Sequence, residues 1–410
     1  MLRLLLAAAL ATACAAAAQA PQEEEPGDEE REEGPALEAA PAGLPDRPVM
    51  VRLGGSHTWD SNIFRSPQAR AERIGAAYAG VSVDKAYAQQ RFRFDATETA
   101  YRHDNFPHLD FNALNYLGAW DWRLGPRIGG TVRAAREQAL ADYSEFRNPA
   151  QKNVRTTEDF SLGADAWLFG GWHVTGALDQ VRNRYSVPFP QQGSYRASGG
   201  EAGAKWVAPA GNWAAFTLRS LDGRYLDRAL DPAARLDDGF RRREAEAAAW
   251  WRITGKSTLE GRVAQVDYRS DHFTERDFSG IAARLRYLWE AAAKLAVNLQ
   301  LERRIEPWAD AGASHRVEQR IAVGPAWQPS ARTTLRLDVI RTESAFRDPL
   351  PGFTGAERRD VRHGARLEAE WRALRNLSLK AGAERYRQSS NDPAASFRGS
   401  QFTAGASFLF

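Results

Sequence analysis

The feature that most constrains this chain is an alternation of apolar and polar residues, which runs from about residue 49 to the C-terminus. A period of two places apolar side chains on one face of a β-sheet. In the final stretch, Phe402, Phe408 and Phe410 alternate with residues such as Gln401 and Ser407. The stretches 160–168, 281–289 and 295–301 have the same pattern. The alternation predicts an all-β chain, but a soluble sandwich has the same pattern, so it does not by itself indicate a membrane.

The links between the candidate strands separate these two possibilities. Eighteen strands can be placed, and the links between them alternate between long and short. The expected long links are 60–73, 101–108, 141–157, 183–194, 223–240, 270–277, 306–314, 344–360 and 389–396. The expected short links are 84–88, 124–127, 169–171, 208–212, 253–256, 290–293, 328–332 and 372–375. Short turns at one end and long loops at the other are typical of a transmembrane antiparallel outer-membrane β-barrel, here of about 18 strands (16–18).

Tryptophan gives an independent signal. Eleven of the thirteen tryptophans lie near an expected short link: Trp120, Trp122, Trp167, Trp172, Trp206, Trp213, Trp250, Trp251, Trp289, Trp327 and Trp371. An indole ring favours the boundary between membrane and water, because its ring is apolar and its N–H is polar. We therefore expect one aromatic girdle at the short-link end.

Composition removes several other classes of protein. The mean hydropathy is −0.53, and no stretch beyond the N-terminus is apolar enough for a transmembrane helix. The single cysteine, Cys14, excludes a disulfide-stapled domain and any cysteine-based zinc or redox site. Helices are conceivable at 241–252 and 290–294, where good helix formers occur. The flanking alternation and the turn spacing favour strands at both places.

The N-terminal segment is predicted to direct export. Residues 1–20 combine Arg3, an apolar run and A-Q-A at 18–20, which is typical of a secretory signal peptide. Lipidation of Cys14 in L-A-T-A-C is an alternative form of processing. Residues 21–47 are rich in Glu and Pro, which predicts a disordered acidic periplasmic linker. Residues 1–47 hold three basic and ten acidic residues, so the net charge of +3 conceals a basic body over 48–410.

The C-terminus predicts an orientation. Phe410 ends an alternating strand, and a terminal aromatic residue of this kind resembles the signal that the outer-membrane barrel-assembly machinery recognises. Phe410 would then lie on the periplasmic side. The short links and the N-terminus would be periplasmic, and the long links extracellular. We expect the chain in the outer membrane of a Gram-negative bacterium, in contact with its lipid.

Motifs for catalysis or cofactor binding are weak. The seven histidines form no H-x-x-H or H-E-x-x-H pair, so no metal site or other cofactor is predicted. Gly255-Lys256-Ser257 lacks the remainder of a phosphate-binding loop, and no G-x-S-x-G elbow occurs. Asp104 and His108 could form an acid–base pair, but solvated loop residues are the better interpretation. The chain is predicted not to be an enzyme, and no nucleic-acid partner is expected.

Charged residues of the parity opposite to the apolar set are expected to line the lumen. At the membrane midplane, an Arg or Lys that faced lipid would cost about 2–4 kcal/mol. They could form salt-bridge ladders that fill the barrel, or a cationic passage for an anionic polymer. About 16–18 strands leave room for an aqueous channel. The candidate lining residues are Arg91, Arg93, Asp95, Arg284, Arg286, Arg336, Asp338, Arg362, Arg366, Glu368 and Glu370.

Four stretches resemble the EpsL family: W-D-S-N-I-F-R at 59–65, Q-R-F-R-F-D-A at 90–96, the run 114–130, and G-G-W-H-V-T-G at 170–176. Members are encoded with exopolysaccharide biosynthesis genes in Gram-negative bacteria that carry exosortase B and PEP-CTERM sorting. The resemblance implies a channel or scaffold for polysaccharide export, with exopolysaccharide and periplasmic export components as partners. It carries no catalytic residues. The first motif supplies Asp60, Asn62, Phe64 and Arg65, for which a structural turn is favoured over a plug, a loop clamp or a polymer contact.

Three functions therefore stay open on sequence grounds. The leading one is an outer-membrane barrel that conducts or guides exopolysaccharide. The alternative is a general diffusion porin or a structural outer-membrane barrel. A barrel hydrolase acting on polysaccharide or lipid is the third.

Overall fold

The computed structural model describes residues 48–189 and 191–410, which form one closed antiparallel β-barrel of 18 strands. The predicted signal peptide, the acidic linker and Cys14 lie outside these residues. The strands are β1 (Val49–Asp60), β2 (Glu72–Tyr87), β3 (Gln90–His103), β4 (Phe111–Leu124), β5 (Ile128–Leu140), β6 (Val154–Phe169), β7 (Trp172–Tyr185), β8 (Tyr195–Val207), β9 (Trp213–Tyr225), β10 (Gly239–Thr254), β11 (Ser257–Ser270), β12 (Phe278–Ala292), β13 (Leu295–Asp310), β14 (Ala313–Ser330), β15 (Thr333–Arg347), β16 (Arg359–Arg372), β17 (Leu377–Ser390) and β18 (Phe397–Leu409).

Each strand pairs with its neighbours in the sequence, and β18 returns to pair with β1. The closing register runs from Arg52 opposite Leu409 to Asp60 opposite Gln401. Val51 and Phe410 exchange two backbone hydrogen bonds, of 3.1 and 2.9 Å, beyond the last ladder pair. Because β18 pairs with β1, the first and last strands each have two neighbours, which is what a sheet in lipid requires. Among the described residues, no helix is both long and apolar enough to cross a membrane.

The alternation of links is confirmed. One end, called the short-turn end, carries the links 88–89, 125–127, 170–171, 208–212, 255–256, 293–294, 331–332 and 373–376. The other end, called the long-loop end, carries the links 61–71, 104–110, 141–153, 186–194, 226–238, 271–277, 311–312, 348–358 and 391–396. Both β1 and β18 have their free ends at the short-turn end.

One expected long link is wrong. The segment 306–314 is a hairpin in which strands β13 and β14 continue to a two-residue turn, 311–312. The turn is held by Asp310, whose carboxylate accepts hydrogen bonds from the backbone N–H of Gly312 at 2.8 Å and from Nε1 of Trp308 at 2.7 Å. The small and polar residues of A-D-A-G at 309–312 interrupt the alternation, so the segment resembles a loop in the sequence.

The two conceivable helices are strands, as the alternation favoured. Residues 241–252 lie within β10, and 290–294 form the end of β12 and its turn. Apolar residues cover the outer face of these strands, as Ile281 and Trp289 illustrate at 49% and 47% exposed. Their outward exposure fits contact with lipid acyl chains.

All eleven tryptophans near expected short links lie at the short-turn end. Eight alternate in step with the outward apolar residues, as Trp172 and Trp371 do. Trp167, Trp213 and Trp250 have the opposite parity and face the lumen side of the sheet. The aromatic girdle is therefore smaller than a count of tryptophans suggests. The other two tryptophans, Trp59 and Trp308, lie at the long-loop end.

Candidate functional site: the lumen and its long-loop end

The long-loop end is narrowed by a short helix that sequence reasoning did not predict. Helix α1 (Tyr143–Phe146) lies in the link between β5 and β6. The carboxylate of Asp142 caps its N-terminus by accepting a hydrogen bond from the N–H of Ser144 at 2.8 Å. Arg147 ends the helix with a φ of 47°, in the left-handed region that breaks a helix. One turn is too short to give a periodic signal in the sequence.

A continuous chain of aromatic rings joins this helix to both sides of the barrel. Adjacent ring centroids lie 4.9 to 6.3 Å apart, mostly in edge-to-face geometry. The chain begins in the links after β1 and β3 and ends on β15. Its members are Phe106, Phe64, Tyr143, Phe146, Phe189, Trp308 and Phe346. We call residues 61–71, 141–153 and 304–314, together with Phe189, the plug.

Charged contacts fix α1 to walls that are distant in the sequence. Glu145 accepts hydrogen bonds from Arg316 of β14 and, at 2.6 Å, from the side chain of Gln192. Arg147 lies 2.8 Å from Asp392, in the link before β18. Since Arg316 stands on β14 and Asp392 lies just before β18, both far from β5 and β6 around the barrel, α1 reaches across the lumen rather than lying along one wall.

Asp60, Asn62, Phe64 and Arg65, from the stretch 59–65, lie together at the base of the plug. Asp60 accepts hydrogen bonds from Arg65 at 2.8 Å and from the hydroxyl of Tyr386 at 2.9 Å. The side-chain amide of Asn62 donates to the carbonyl oxygens of Ser66 and Arg398, at 2.8 and 3.0 Å. Phe64 is one ring of the aromatic chain. Their contacts are therefore those of a structural turn that anchors the plug to β17 and β18.

Burial changes the ionisation of plug residues. Burial of the phenol raises the pKa of Tyr143 to about 12, so this hydroxyl is neutral in any physiological medium. For Arg65, burial acts to lower the pKa, but the interactions with Asp60, Tyr386 and Asp142 outweigh it and the pKa is raised. The Asp60–Arg65 contact is a largely buried ion pair with an N–O distance of 2.8 Å.

The hairpin of β13 and β14 supplies the remaining part of the plug. Pairing between β12 and β13 stops at Ala283 opposite Arg303, although β12 begins five residues earlier, at Phe278. Beyond this point β13 leaves the wall, and Ile305 packs in a buried cluster with Phe278. A hairpin that leaves the sheet in this way covers the lumen.

A buried arginine clamps the hairpin. The guanidinium of Arg276 donates to the carbonyl oxygens of Asp310 and Ala313, at 2.6 and 2.8 Å. It also donates to that of Arg235 at 3.1 Å, which ties the link 226–238 to the tip. Burial is the largest influence on this side chain and lowers its pKa.

All eleven predicted lining residues lie on the sheet face opposite the exposed apolar side chains, as the pairings of β3, β12, β15 and β16 show. Most are in ion pairs along the wall. The N–O distances are 2.6 Å for Arg52–Asp95, 3.0 Å for Arg93–Asp121, 2.7 Å for Arg284–Glu302 and 2.8 Å for Arg366–Glu384. Arg362 lies 3.9 Å from Asp142 of the plug. The ladder interpretation therefore describes much of the lumen.

The densest ladder was missed by sequence reasoning. Arg304 of β13 lies 2.5 Å from Glu318, 3.7 Å from Glu306 and 3.9 Å from Glu302. Arg316 continues the ladder through Glu306 at 2.6 Å. These residues face the lumen, as Arg284 does, so the alternation could have identified Glu302. Arg304 and Arg316 could not be assigned to a face, because they border the segment that was wrongly expected to be a loop.

One lumen cavity differs from the ladders. It has a volume of about 270 Å³ and lies against β13 to β16, where Arg320, Arg336 and Arg366 contribute three positive charges and Asp338 one negative charge. Asn298 and Gln300 add amide groups. Among the described residues, the guanidinium of Arg336 has no ion-pair or hydrogen-bond partner. Arg366 is already paired with Glu384 at 2.8 Å, and Arg320 and Asp338 also have partners. The guanidinium of Arg336 is therefore the group of this cavity that is suited to a carboxylate or phosphate.

Three potential metal ligands come together outside the lumen. Asp237, Asp238 and His272 present ligand atoms within 4.8 Å of one another. His272 follows the two aspartates by 35 and 34 residues, so a search for local histidine motifs could not find the group. Asp237 already accepts hydrogen bonds from the N–H groups of His272 and Phe273, at 2.6 and 3.1 Å, and from the ring of His272 at 2.9 Å. These contacts indicate a cap that holds the link 226–238 against 271–277.

No protein-family model and no curated protein matches this chain. Solved structures do resemble it. Pseudomonas aeruginosa OccK2 (OpdF), in complex with glucuronate, is 9% identical with a TM-score of 0.51, over 90% of this chain and 97% of that one. The P. aeruginosa outer membrane protein OpdK is 13% identical with a TM-score of 0.49, over 88% and 99%. Acinetobacter baumannii OccAB3 is 10% identical, again with 0.49, over 88% and 99%. At such identities the likeness concerns the fold alone, which is that of an 18-stranded outer-membrane barrel.

Proposed function

We propose that this chain is an outer-membrane porin whose lumen selects small anionic solutes. The observation that carries the proposal is the cavity on β13 to β16, in which Arg336 is unpaired beside Arg320 and Arg366. Its volume of about 270 Å³ is on the scale of one small solute rather than of a polymer. Fixed cations in a narrow polar lumen favour entry of anions, because they replace part of the hydration of the solute.

The orientation forms part of the proposal. With the long loops on the extracellular side and the short turns in the periplasm, the tryptophans at the short-turn end lie at the inner interface of the outer membrane. Phe410 then lies on the periplasmic side, where the assembly machinery would meet it. The test is surface labelling of cells that carry single cysteines at exposed link positions, Ala233→Cys and Gly255→Cys. A membrane-impermeant maleimide should modify the first and spare the second; the reverse result would invert the barrel.

Selectivity is tested by reconstitution in planar bilayers. Under a salt gradient, the reversal potential should indicate preference for chloride over potassium, and glucuronate should block the current. Arg336→Gln should lower the affinity for glucuronate about tenfold, because it removes one charge-assisted hydrogen bond. Arg133→Gln is the matched control, because Arg133 also has lumen parity and no partner among the described residues, but lies on β5. If the two substitutions had equal effects, selectivity would come from the summed electrostatic field of the lumen charges, and this would contradict a local binding site at Arg336.

Exopolysaccharide export is the second candidate, and the motif at 59–65 favours it. The residues of that motif anchor the plug, so a polymer could pass only after the plug had moved. A strain that lacks the gene should then retain polymer in the periplasm. Unchanged secretion, with a conducting anion-selective barrel, would support the porin over the exporter.

A further inference from the structure

The outer wall carries a row of basic side chains at the long-loop end of strands β15 to β18. Strand pairing places Arg341 opposite His363, His363 opposite Arg387, and Arg387 opposite Arg398. All four side chains are exposed. They share the parity of the apolar residues that face lipid, so they point away from the lumen.

The row borders the apolar surface directly. Along the same strands, the outward residues within two to four positions toward the short-turn end include Val339, Leu367 and Phe402, which are 52%, 51% and 54% exposed. Arg385 adds a cation two residues from Arg387 on the same face. The row therefore stands where the acyl region gives way to lipid headgroups.

The protein itself leaves this charge unbalanced. Directly opposed like charges on adjacent strands destabilise a sheet. Arg341 is paired with Glu343, but Arg385, Arg387 and Arg398 have no side-chain ion pair or hydrogen bond within the described part of the chain. Opposed arginines without side-chain partners are stabilised where an anion from outside the protein binds between them.

A second row of opposed arginines differs, because two of its three members have side-chain partners. Arg182, Arg196 and Arg224 are also directly opposed, on β7 to β9. Here Arg182 lies 3.7 Å from Glu158, and Arg196 donates to the side-chain oxygen of Gln180 at 2.5 Å. The β15–β18 row lacks equivalent partners for Arg387 and Arg398.

We propose that the outward row of Arg385, Arg387 and Arg398 binds the phosphorylated sugar headgroup of an outer-leaflet glycolipid, a lipopolysaccharide. Phosphate oxygens accept bidentate hydrogen bonds from guanidinium groups, and adjacent arginines that no side chain neutralises match closely spaced phosphates. A lipid is favoured over a soluble anion because acyl chains can cover the adjacent apolar wall. The inference rests on the orientation proposed above and is independent of what the lumen conducts.

The test is native mass spectrometry of the detergent-solubilised full-length barrel, titrated with purified lipopolysaccharide. We expect a bound glycolipid, at least tenfold weaker binding for Arg387→Gln/Arg398→Gln, and weak binding of enzymatically dephosphorylated lipopolysaccharide. Arg182→Gln/Arg196→Gln, which removes the two arginines that have partners on the second row, is the matched control and should change binding less than threefold. A heat-dependent shift in gel migration verifies that each variant is folded.

If the glutamine variant does not fold, binding is measured on Arg387→Lys/Arg398→Lys instead. This variant preserves the charge and should retain most of the affinity. Undiminished binding by the folded glutamine variant would overturn the proposal. So would equal affinity for phosphatidylglycerol, which indicates an inner-leaflet surface, or competition by millimolar inorganic phosphate, which indicates a site for the free anion.

Discussion

The ion pair Asp60–Arg65 and the ion pair Asp84–Arg91 have the same chemistry at opposite ends of the barrel. At the long-loop end, the side chains of Asp60 and Arg65 are 1% and 19% exposed. At the short-turn end, those of Asp84 and Arg91 are 49% and 53% exposed. Side chains at the first end are packed into the plug, whereas those at the second stand in water. The difference implies that the long-loop end carries the specific tertiary structure and that the short-turn end is held mainly by its backbone.

The largest expected effect is on stability. Asp60→Ala leaves Arg65 and Tyr386 without their buried partner, which costs about 3–5 kcal/mol. Asp84→Ala removes an exposed partner, and less than about 1 kcal/mol is expected. The measurement is the free energy of unfolding in guanidinium chloride, with both variants refolded into the same lipid vesicles. If the two variants lost similar amounts of unfolding free energy, the network at Asp60 would contribute no more to stability than the exposed pair at Asp84.

Removal of the helix should change conductance more than any single lumen substitution. Replacement of residues 143–151 by a short Gly-Ser linker deletes two rings of the aromatic chain and both Glu145 contacts. The single-channel conductance should rise severalfold, because the segment that crosses the lumen is lost. Replacement of 208–212, a short turn, by a linker of equal length is the control and should leave conductance unchanged. A deletion without effect would mean that the current does not pass through the plug.

At the short-turn end, the backbone should matter more than the side chains. Gly125 has a φ of 64° in the link between β4 and β5, so Gly125→Ala introduces a strain of about 1 kcal/mol. Gly364, within β16, has ordinary backbone geometry and open space around it, so Gly364→Ala should be neutral within about 0.5 kcal/mol. Unfolding midpoints in one vesicle composition provide the measurement. The reverse order would contradict the assignment of turn strain.

The smallest effect concerns pH. Partial burial acts to raise the pKa of Asp142, but Arg362, the backbone N–H of Ser144 and Arg65 together hold it below the usual value. The resulting stabilisation of the plug is complete above the ordinary aspartate pKa and is lost as pH falls through the lower folded value. Current noise from plug opening should increase on acidification below about pH 4.

Asp142→Asn can still cap α1 but lacks the charge that Arg362 and Arg65 favour. This variant should show the same noise at neutral pH as it does in acid. A wild-type trace that stayed quiet throughout the acid range would contradict the role of Asp142.

The barrel itself could be predicted from the sequence because it depends on local rules. Alternation defines the two faces, and the closing pairing of β1 with β18 follows once the strand number is even. The lining arginines were found in the same way, since an outward arginine at midplane is too costly. Eight of the eleven tryptophans near short links also have the parity expected of an interfacial girdle.

The plug could not be predicted, because its contacts join residues that are distant in the sequence. Glu145 and Arg316 are 171 residues apart, and nothing in the local sequence relates them. The hairpin tip at 306–314 was misassigned because Pro307 and Gly312 signal a loop, whereas Trp308 and Ile305 stabilise it by packing across the lumen. The outward cation row was likewise hidden, because its significance depends on the strand register and not on any one segment.

The seam between β1 and β18 has a consequence for the biogenesis of the protein. Thr58 and Thr403 share a hydrogen bond across it at 3.0 Å, and they are separated by 345 residues. One edge of β1 therefore stays unpaired until β18, the last strand, reaches it. If the chain is exported from its N-terminus to its C-terminus, the barrel cannot close until nearly the whole chain has been exported. Because such long-range pairing is slow and exposes apolar strand edges to aggregation, closure of the seam is the step at which a holding chaperone or an assembly catalyst would have the greatest effect on yield.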